Sequence, residues 1–541
     1  MTSASPSASG LSRRLGLRSL TLAVVTATIG SGWLFAPFYA ARMAGPAALL
    51  AWLLGGLLAF VIALVFAELG SLVSSSGALA QVPLLSHGRT SGFLGGWCAW
   101  VAYLALPTIE VLAVMQYLAS SLPWLTLDGG RGQVLSPAGL GLGTVLLVLL
   151  AWVNLAGVAW LGRWIEGLTS WKLVVPLLAS MALMLTAGHW SNLSPEALQA
   201  LGTPARGPDG TATGLLSGVV AAISGGGILF SLLGFRTAMD LAGETRQPQR
   251  NVPLAMALGL GISLAIYLVL QLAFLVAVPP ELLGRGWEQL QLTAHGGPLV
   301  ALAMGLGLGW VAKLLLIDAV ISPSATAMAY MGAAARVSWM MGRCGVLPRW
   351  LGRLNQQAVP APALLLSLAF GVAMLLLGPS WQQVVSFLTA TLVIALAMGP
   401  VSLLALRRQL PEAPRAYQLP FAEAWCAAAF VLSTWAISWC GTDALQGAVA
   451  IALVPTAGFV LLTCASGPQS LPLNLRSGLW WFPYLLGILV IGQAVRPLPA
   501  QLAVLGAWAL AILPLAVRSR LPQVSPWAQV NLEGAEAQKQ P

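Results

Sequence analysis

Apolar residues along this chain neither alternate with polar ones nor recur only every third or fourth position. They run almost unbroken for long stretches, separated by short polar segments. A helix needs about 20 mainly apolar residues to cross a hydrocarbon core roughly 30 Å thick. Fourteen runs of that kind are expected, over residues 20–43, 47–73, 93–122, 138–156, 166–187, 213–241, 253–277, 298–331, 361–378, 381–405, 421–440, 446–465, 479–495 and 501–517. Backbone N–H and C=O groups in lipid have no water to bond, and the runs are about twice a barrel strand's length, so each is expected to be a helix. The predicted fold class is an all-α polytopic membrane protein.

Composition agrees. Of 541 residues, 58% are hydrophobic and 8% charged, where a soluble domain carries roughly 25% charged residues. The net charge of +10 does not point to nucleic acid, because no basic patch is interleaved with aromatics. Lys and Arg are retained in cytoplasmic loops. With the N-terminus inside, 18 of the 26 fall on the inner side, from Arg13 to Lys539, and five on the outer side: Arg42, Arg131, Arg206, Arg285 and Arg496. Both termini are therefore expected in the cytoplasm, with the chain in the cell membrane. The apolar run from Leu20 is too long for a signal h-region and is taken as the first span.

Several chemistries are disfavoured. Cys98, Cys344, Cys426, Cys440 and Cys464 lack CxxC spacing, so neither a disulfide framework nor a metal site is expected. No HExxH or GxSxG occurs, which argues against an enzyme. GLGLG at 139–143 and 305–309 lies inside apolar spans without a preceding strand, so it is not a dinucleotide loop, and no cofactor is expected. His87, His189 and His295 fall in predicted loops, so a proton pathway in the membrane would use carboxylates or a lysine.

Two spans carry signs of a break. The first holds Thr28, Ile29, Gly30, Ser31 and Gly32 at its centre, and the sixth holds Gly225, Gly226 and Gly227 followed by Phe230, Ser231, Gly234 and Phe235. Glycine costs roughly 1 kcal/mol relative to alanine inside a helix, and freed backbone groups at membrane depth must line a cavity or be buried in protein. Close packing of small residues is the alternative. Interrupted helices five spans apart favour an inverted-repeat transporter, whose half-helix N-termini face a substrate carboxylate while free carbonyls hold an amine or cation.

Charges within spans cost roughly 3 kcal/mol each on insertion scales. Glu68 and Asp240 are expected near the inner ends of their spans in structural contacts. Lys313 and Asp318 are expected to neutralise each other. Glu110, Lys172 and Arg236 are the functional candidates. Arg236 could pair with Asp240 four residues on, or meet a substrate's side-chain carboxylate, which a guanidinium grips bidentately. Glu110 could neutralise Arg236 and take up a proton as the site opens.

These residues resemble the amino acid, polyamine and organocation permease family. The resemblance rests on Ile29-Gly30-Ser31-Gly32, on Ala67-Glu68-Leu69-Gly70 with Ser76-Gly77, and on Gly234-Phe235 with Ala242-Gly243-Glu244 and Gln247 through Pro253. It also rests on Arg336 through Pro348, with Asn355 and Pro360. GSGWLF, Pro107 to Val111 and Gly234-Phe235-Arg236 look most similar to its bacterial aspartate:proton symporter-like branch. The resemblance implies a LeuT-type core of two inverted repeats, residues 20–187 and 213–405, joined by an outer loop at 188–212. A cytoplasmic loop at 406–420, accessory helices over 421–517 and cytoplasmic tails at 1–19 and 518–541 complete the expected organisation. It implies a substrate carboxylate on the N–H groups of Thr28 to Gly32, an amine on carbonyls near Phe230 and Ser231, and Phe230 as an aromatic gate. It also implies that Lys172 stands where sodium sits in relatives, beside Ser322 or Ser324, which favours protons over sodium.

The expected function is secondary active, proton-coupled uptake of an acidic amino acid. A neutral or cationic amino acid or amine permease or exchanger of the same fold is the alternative. A channel would show uptake without saturation, and a sensor would bind without moving its ligand. Trp480, Trp481 and Tyr484 are expected as membrane-interface anchors, and the tail from Arg518 as disordered.

Overall fold

The computed structural model describes residues 15–73, 77–128, 133–155, 158–194, 205–206, 212–292, 297–357, 359–377, 380–465 and 473–524. The tail before residue 15, Ser76, Arg131, most of the 188–212 loop, His295 and the tail from residue 525 lie outside the described residues.

Helices form wherever the apolar runs stand, several of them through an internal proline such as Pro107 or Pro323, and glycines mark the breaks in the first and sixth runs. The first run yields α1 (Leu17–Thr28) and α2 (Gly32–Ala44), followed by α3 (Ala48–Leu72), the short α4 (Ala78–His87) and α5 (Arg89–Leu118). Next come α6 (Pro137–Leu155), α7 (Val158–Ala187), α8 (Leu215–Ser224) and α9 (Ile228–Asp240, with a 3-10 turn over Leu233–Arg236). Then follow α10 (Pro248–Ala277), α11 (Pro298–Gly305), α12 (Gly309–Arg343), α13 (Ala361–Leu376) and α14 (Trp381–Gln409). The chain closes with α15 (Ala422–Ser438), α16 (Thr442–Ala465), α17 (Trp481–Ala494) and α18 (Leu498–Arg518). Among the described residues, two antiparallel pairs of very short strands stand between helices.

Among the described residues ten helices are long and apolar enough to span a membrane, or eleven when α8 and α9, bent by 48°, count as one. The apolar runs predict more because breaks divide them. The first run is cut at Ile29–Ser31, α2 continues into α3 through a 3-10 turn, and α1, α13 and α15 are shorter than 18 residues.

Each helix has one face toward protein and, at the periphery, one toward lipid. On α3, Leu53, Leu57 and Phe60 form an exposed stripe at helical spacing, while Trp52, Ala59 and Phe66 are buried. Trp52 stacks on Tyr267 of α10 at 4.4 Å and donates to the Gln271 carbonyl oxygen at 2.9 Å. The apolar window of α5 is enclosed throughout, with α12, α14, α4 and α13 packed around it. Its residues can therefore reach several helices at once.

Charged residues away from the centre make structural ties. Glu68 accepts from Arg407 at 2.6 Å and from the Leu419 N–H at 2.8 Å, and lies 3.4 Å from Arg415, the structural contact the sequence predicts. Glu244 pairs with Arg336 at 2.7 Å, and the Leu15 N–H donates to the Glu244 carbonyl, which fastens the start of α1 to the end of α9. Lys313 is exposed, whereas Asp318 is buried and accepts from Trp171 and Ser322, so the expected mutual neutralisation does not occur. Trp480, Trp481 and Tyr484 are buried rather than interfacial, with Tyr484 stacked on Phe430 at 4.9 Å, because the helices after α14 pack on one another. Four of the five cysteines are buried and Cys464 is exposed.

His87 closes α4 instead of lying in a loop, and it is fully buried. Its Nε2 donates to the Ala516 carbonyl at 3.0 Å, which leaves Nδ1 to accept from Ser86 at 2.8 Å. Burial pushes its pKa down to about 4 from the usual 6.5. The unfolded chain then binds a proton that the folded one excludes. Stability from this residue is present above pH 6.5 and is lost as the pH falls toward 4, by about 3 kcal/mol in all. The thermal midpoint of the purified protein should drop over that interval, and His87→Gln should flatten the drop. An unchanged pH profile in the variant would contradict this assignment.

Candidate functional site

A helix that stops in mid-membrane leaves carbonyls at one end and N–H groups at the other without intrahelical partners. The break at Ile29–Ser31 does both, and side chains from four other helices answer it. On the carbonyl end, Lys172 of α7 donates to Thr26 at 2.9 Å and to Ile29 at 2.8 Å. Tyr330 of α12 donates to Ala27, and Tyr267 of α10 to Thr28, each at 2.9 Å. Lys172 also donates to the Thr326 hydroxyl at 2.6 Å, which in turn donates to Thr26 at 2.8 Å. Three acceptors for one Nζ match the three N–H bonds of an ammonium group.

On the N–H end, Ser31 donates its backbone N–H to Glu110 Oε2 of α5 at 2.6 Å. The ladder of α2 begins with Leu34, which donates to the Ser31 carbonyl. A carboxylate at a helix N-terminus is favoured by the exposed N–H groups and the helix dipole. Gly30 makes the approach possible: a Cβ there would stand 2.6 Å from Glu110 Oε1 and 2.8 Å from the Thr326 methyl. Glu110 Oε1 is buried and has no hydrogen-bond partner.

An aromatic cluster covers the break. Trp381 at the start of α14 donates to the Ser31 hydroxyl at 3.0 Å, stacks on Phe35 at 4.8 Å and meets Phe230 edge-on at 6.0 Å. A second polar cluster adjoins Tyr330. The Arg236 guanidinium lies 4.8 Å from the Tyr103 ring centre and 5.1 Å from that of Tyr330. Its Nε donates to the Tyr103 hydroxyl at 3.0 Å, and Nη1 donates to the Leu233 carbonyl. Tyr103 passes its own proton to Asp240 at 2.7 Å, so Arg236 and Asp240 meet through a phenol.

The structure thus gathers Thr28, Ile29, Gly30, Ser31, Gly32, Glu110, Lys172 and Ser231 around one break, with Gly32 facing Ser231 and Tyr267. Four expectations change. Ser322 donates to Asp318 at 2.6 Å on its own helix, and Thr326, one turn further, takes the place beside Lys172. Glu110 bonds the Ser31 N–H rather than Arg236. The second break sits at Gly225–Gly227, as the glycines predict, but the Phe230 carbonyl, expected to hold an amine, already accepts from the Leu233 N–H. Gly234 serves packing, since a Cβ there would lie 2.7 Å from the Thr28 nitrogen. Sequence reasoning missed Trp381, Tyr103, Tyr267, Tyr330 and Thr326, each an ordinary aromatic or hydroxyl until the fold brings it to the break.

Two substitutions separate these assignments. Thr326→Val removes the acceptor beside Lys172 and should cut transport about tenfold, the order of one lost charged hydrogen bond, whereas Ser322→Ala should cost less. Gly30→Ala should abolish uptake by a protein that still elutes as a folded species. Equal effects of Thr326→Val and Ser322→Ala, measured as uptake into vesicles, would contradict the geometry.

Comparison with known proteins follows the same lines. The Amino acid permease family model matches residues 15–474. The glutamate/serine transporter AimA of Bacillus subtilis is 29% identical over 89% of this chain and 87% of its own length. The aspartate-proton symporter of Bacillus subtilis is 30% identical over 95% of this chain and 98% of its own. Among solved structures, a variant of the Eremococcus coleocola manganese transporter superposes with a TM-score of 0.52 at 15% identity, covering 92% of this chain and 95% of that one, a likeness of fold. With its many apolar helices, its broken first helix and this match over most of its length, the chain is a multi-pass membrane transporter that belongs to the amino acid permease family.

Proposed function

We propose that this chain takes up acidic amino acids by proton-coupled, alternating-access transport across the cell membrane, with both termini in the cytoplasm. The observation that carries the reading is the split polarity of the first-helix break. An N–H stands free of the helix at Ser31, and carbonyls 26–29 are gathered on the other side. A zwitterionic amino acid carries the two complementary charges. In this reading α1–α7 and α8–α14 are the inverted repeats, each opening with a broken helix, and α15–α18 are accessory.

Proton coupling is supported by Lys172, whose ammonium takes carbonyls that a metal cation would otherwise need. The relatives named for aspartate-proton symport and glutamate/serine transport support an acidic substrate. Arg236, directly after the second break, is the residue proposed to read the side-chain carboxylate. A neutral amino acid is the second reading, and one observation favours it: Arg236 Nε and Nη1 are already engaged by Tyr103 and Leu233.

Proteoliposomes separate the two. Labelled L-aspartate should accumulate in sodium-free buffer under an inward proton gradient and leak away with a protonophore. Uptake that requires sodium would overturn proton coupling. Arg236→Ala should lower the preference for aspartate over serine about 10- to 100-fold, the range for a lost charged hydrogen bond of roughly 1.5–3 kcal/mol. Equal weakening of both substrates would favour the neutral reading.

A further inference from the structure

We infer that the Glu110 side chain is a resident occupant of the substrate's carboxylate subsite, holding the Ser31 N–H until a proton neutralises it and the α-carboxylate of the arriving amino acid takes its place. This rests on the transporter reading above and adds to it which group competes with substrate and where the coupled proton binds.

Two carboxylates compete for one N–H. The N-terminus of α2 offers a carboxylate ligand its N–H at Ser31, and a carboxylate from the protein already holds it at 2.6 Å. Two ionised carboxylates cannot share so small a buried space. Either Glu110 gives up its charge or substrate stays out. The rest of the Glu110 environment fits a group built to change partners. Glu110 is 1% exposed, yet Oε1 has no hydrogen-bond partner, and a buried acceptor left in that state is costly. Gly30 leaves open the space that Oε1 fills.

The groups facing Glu110 are Lys172 from α7, Tyr267 from α10 and Tyr330 from α12, while Asp318 of α12 faces Lys172. α14 contributes the uncharged Trp381, and α6 and α13 carry no charged residue. Arg89, at the start of α5, stands some twenty residues and about 30 Å along that helix, and His87 closes α4 just before it. Lys172, tied to three acceptors, holds the carbonyl end of the break throughout.

The steps balance. One proton from the entry side binds the Glu110 carboxylate, and its O–H becomes a donor. The substrate carboxylate then accepts from the Ser31 N–H. After substrate leaves on the other side, Glu110 releases the proton there and returns to Ser31. One proton accompanies each amino acid.

The test uses the full-length protein in nanodiscs with labelled L-glutamate, L-aspartate and L-serine between pH 5.5 and 8.5. Wild-type affinity for the amino acid it carries should weaken tenfold per pH unit over the alkaline limb. Glu110→Gln should bind with affinity constant to within about twofold, and at pH 8.5 about tenfold or more tighter than wild type. In proteoliposomes it should exchange amino acid but fail to accumulate it. A second measurement needs no variant: at pH 8.5 in weak buffer, binding should draw protons from solution, up to one per amino acid and fewer as the pH is lowered, read with an indicator dye. Weaker binding by Glu110→Gln at every pH would assign Glu110 to the substrate's amine and overturn the inference. So would a wild-type pH profile in the variant, or binding without proton uptake. Wild-type protein that binds none of the three at any pH would overturn the substrate reading on which the inference rests.

Discussion

A helix that stops halfway across a membrane exposes its own backbone where no water can answer it, and the centre of this molecule is arranged around that requirement. The carbonyls at the end of α1 are met by Lys172, Thr326, Tyr267 and Tyr330, and the N–H at the start of α2 is met by Glu110. These five partners come from four helices far apart in the chain. The break therefore acts as the junction through which α5, α7, α10 and α12 are held in register. A backbone carbonyl or N–H without a partner at this depth costs several kcal/mol, so the partners and the break depend on one another.

The surroundings serve the junction. α5 is enclosed along its apolar length and carries both Tyr103 and Glu110, so it links the Arg236 cluster to the break. Trp381 covers the break with Phe35 and Phe230, and its indole N–H bonds the Ser31 hydroxyl. Glu244, Arg336 and the backbone of Leu15 fasten the start of α1 to the segment after α9.

Much of this was legible in the residues. Glycine in mid-run marked both breaks, and the scarcity of charge made Glu110, Lys172 and Arg236 stand out. Partner choice was the illegible part. Ser322 and Thr326 lie one turn apart on one face of α12, so spacing could not decide which of them Lys172 reaches. Glu110 and Arg236 are natural partners on charge alone, but α5 brings Glu110 to a backbone N–H and offers Arg236 of α9 the Tyr103 hydroxyl instead. Trp381 is 350 residues from Ser31 in the chain, and nothing local marks it as a cover. Trp480 and Tyr484 have the composition of interface anchors, yet bury against Phe430 because of helix packing that no local pattern encodes. The number of spans depends on more than the runs: apolar runs show where lipid-compatible sequence lies, while breaks and short helices decide how it is divided.

The central claim is that the first-helix break is the substrate site and that its N–H end is shared in turn by Glu110 and by the substrate. A structure of the protein with a bound amino acid, determined at acidic pH, tests this most directly. The account predicts the substrate's α-carboxylate within hydrogen-bond distance of the Ser31 nitrogen and the Glu110 carboxyl moved off that N–H, with Lys172 still on Thr26 and Ile29. Substrate bound elsewhere while Glu110 keeps its bond to Ser31 would contradict it.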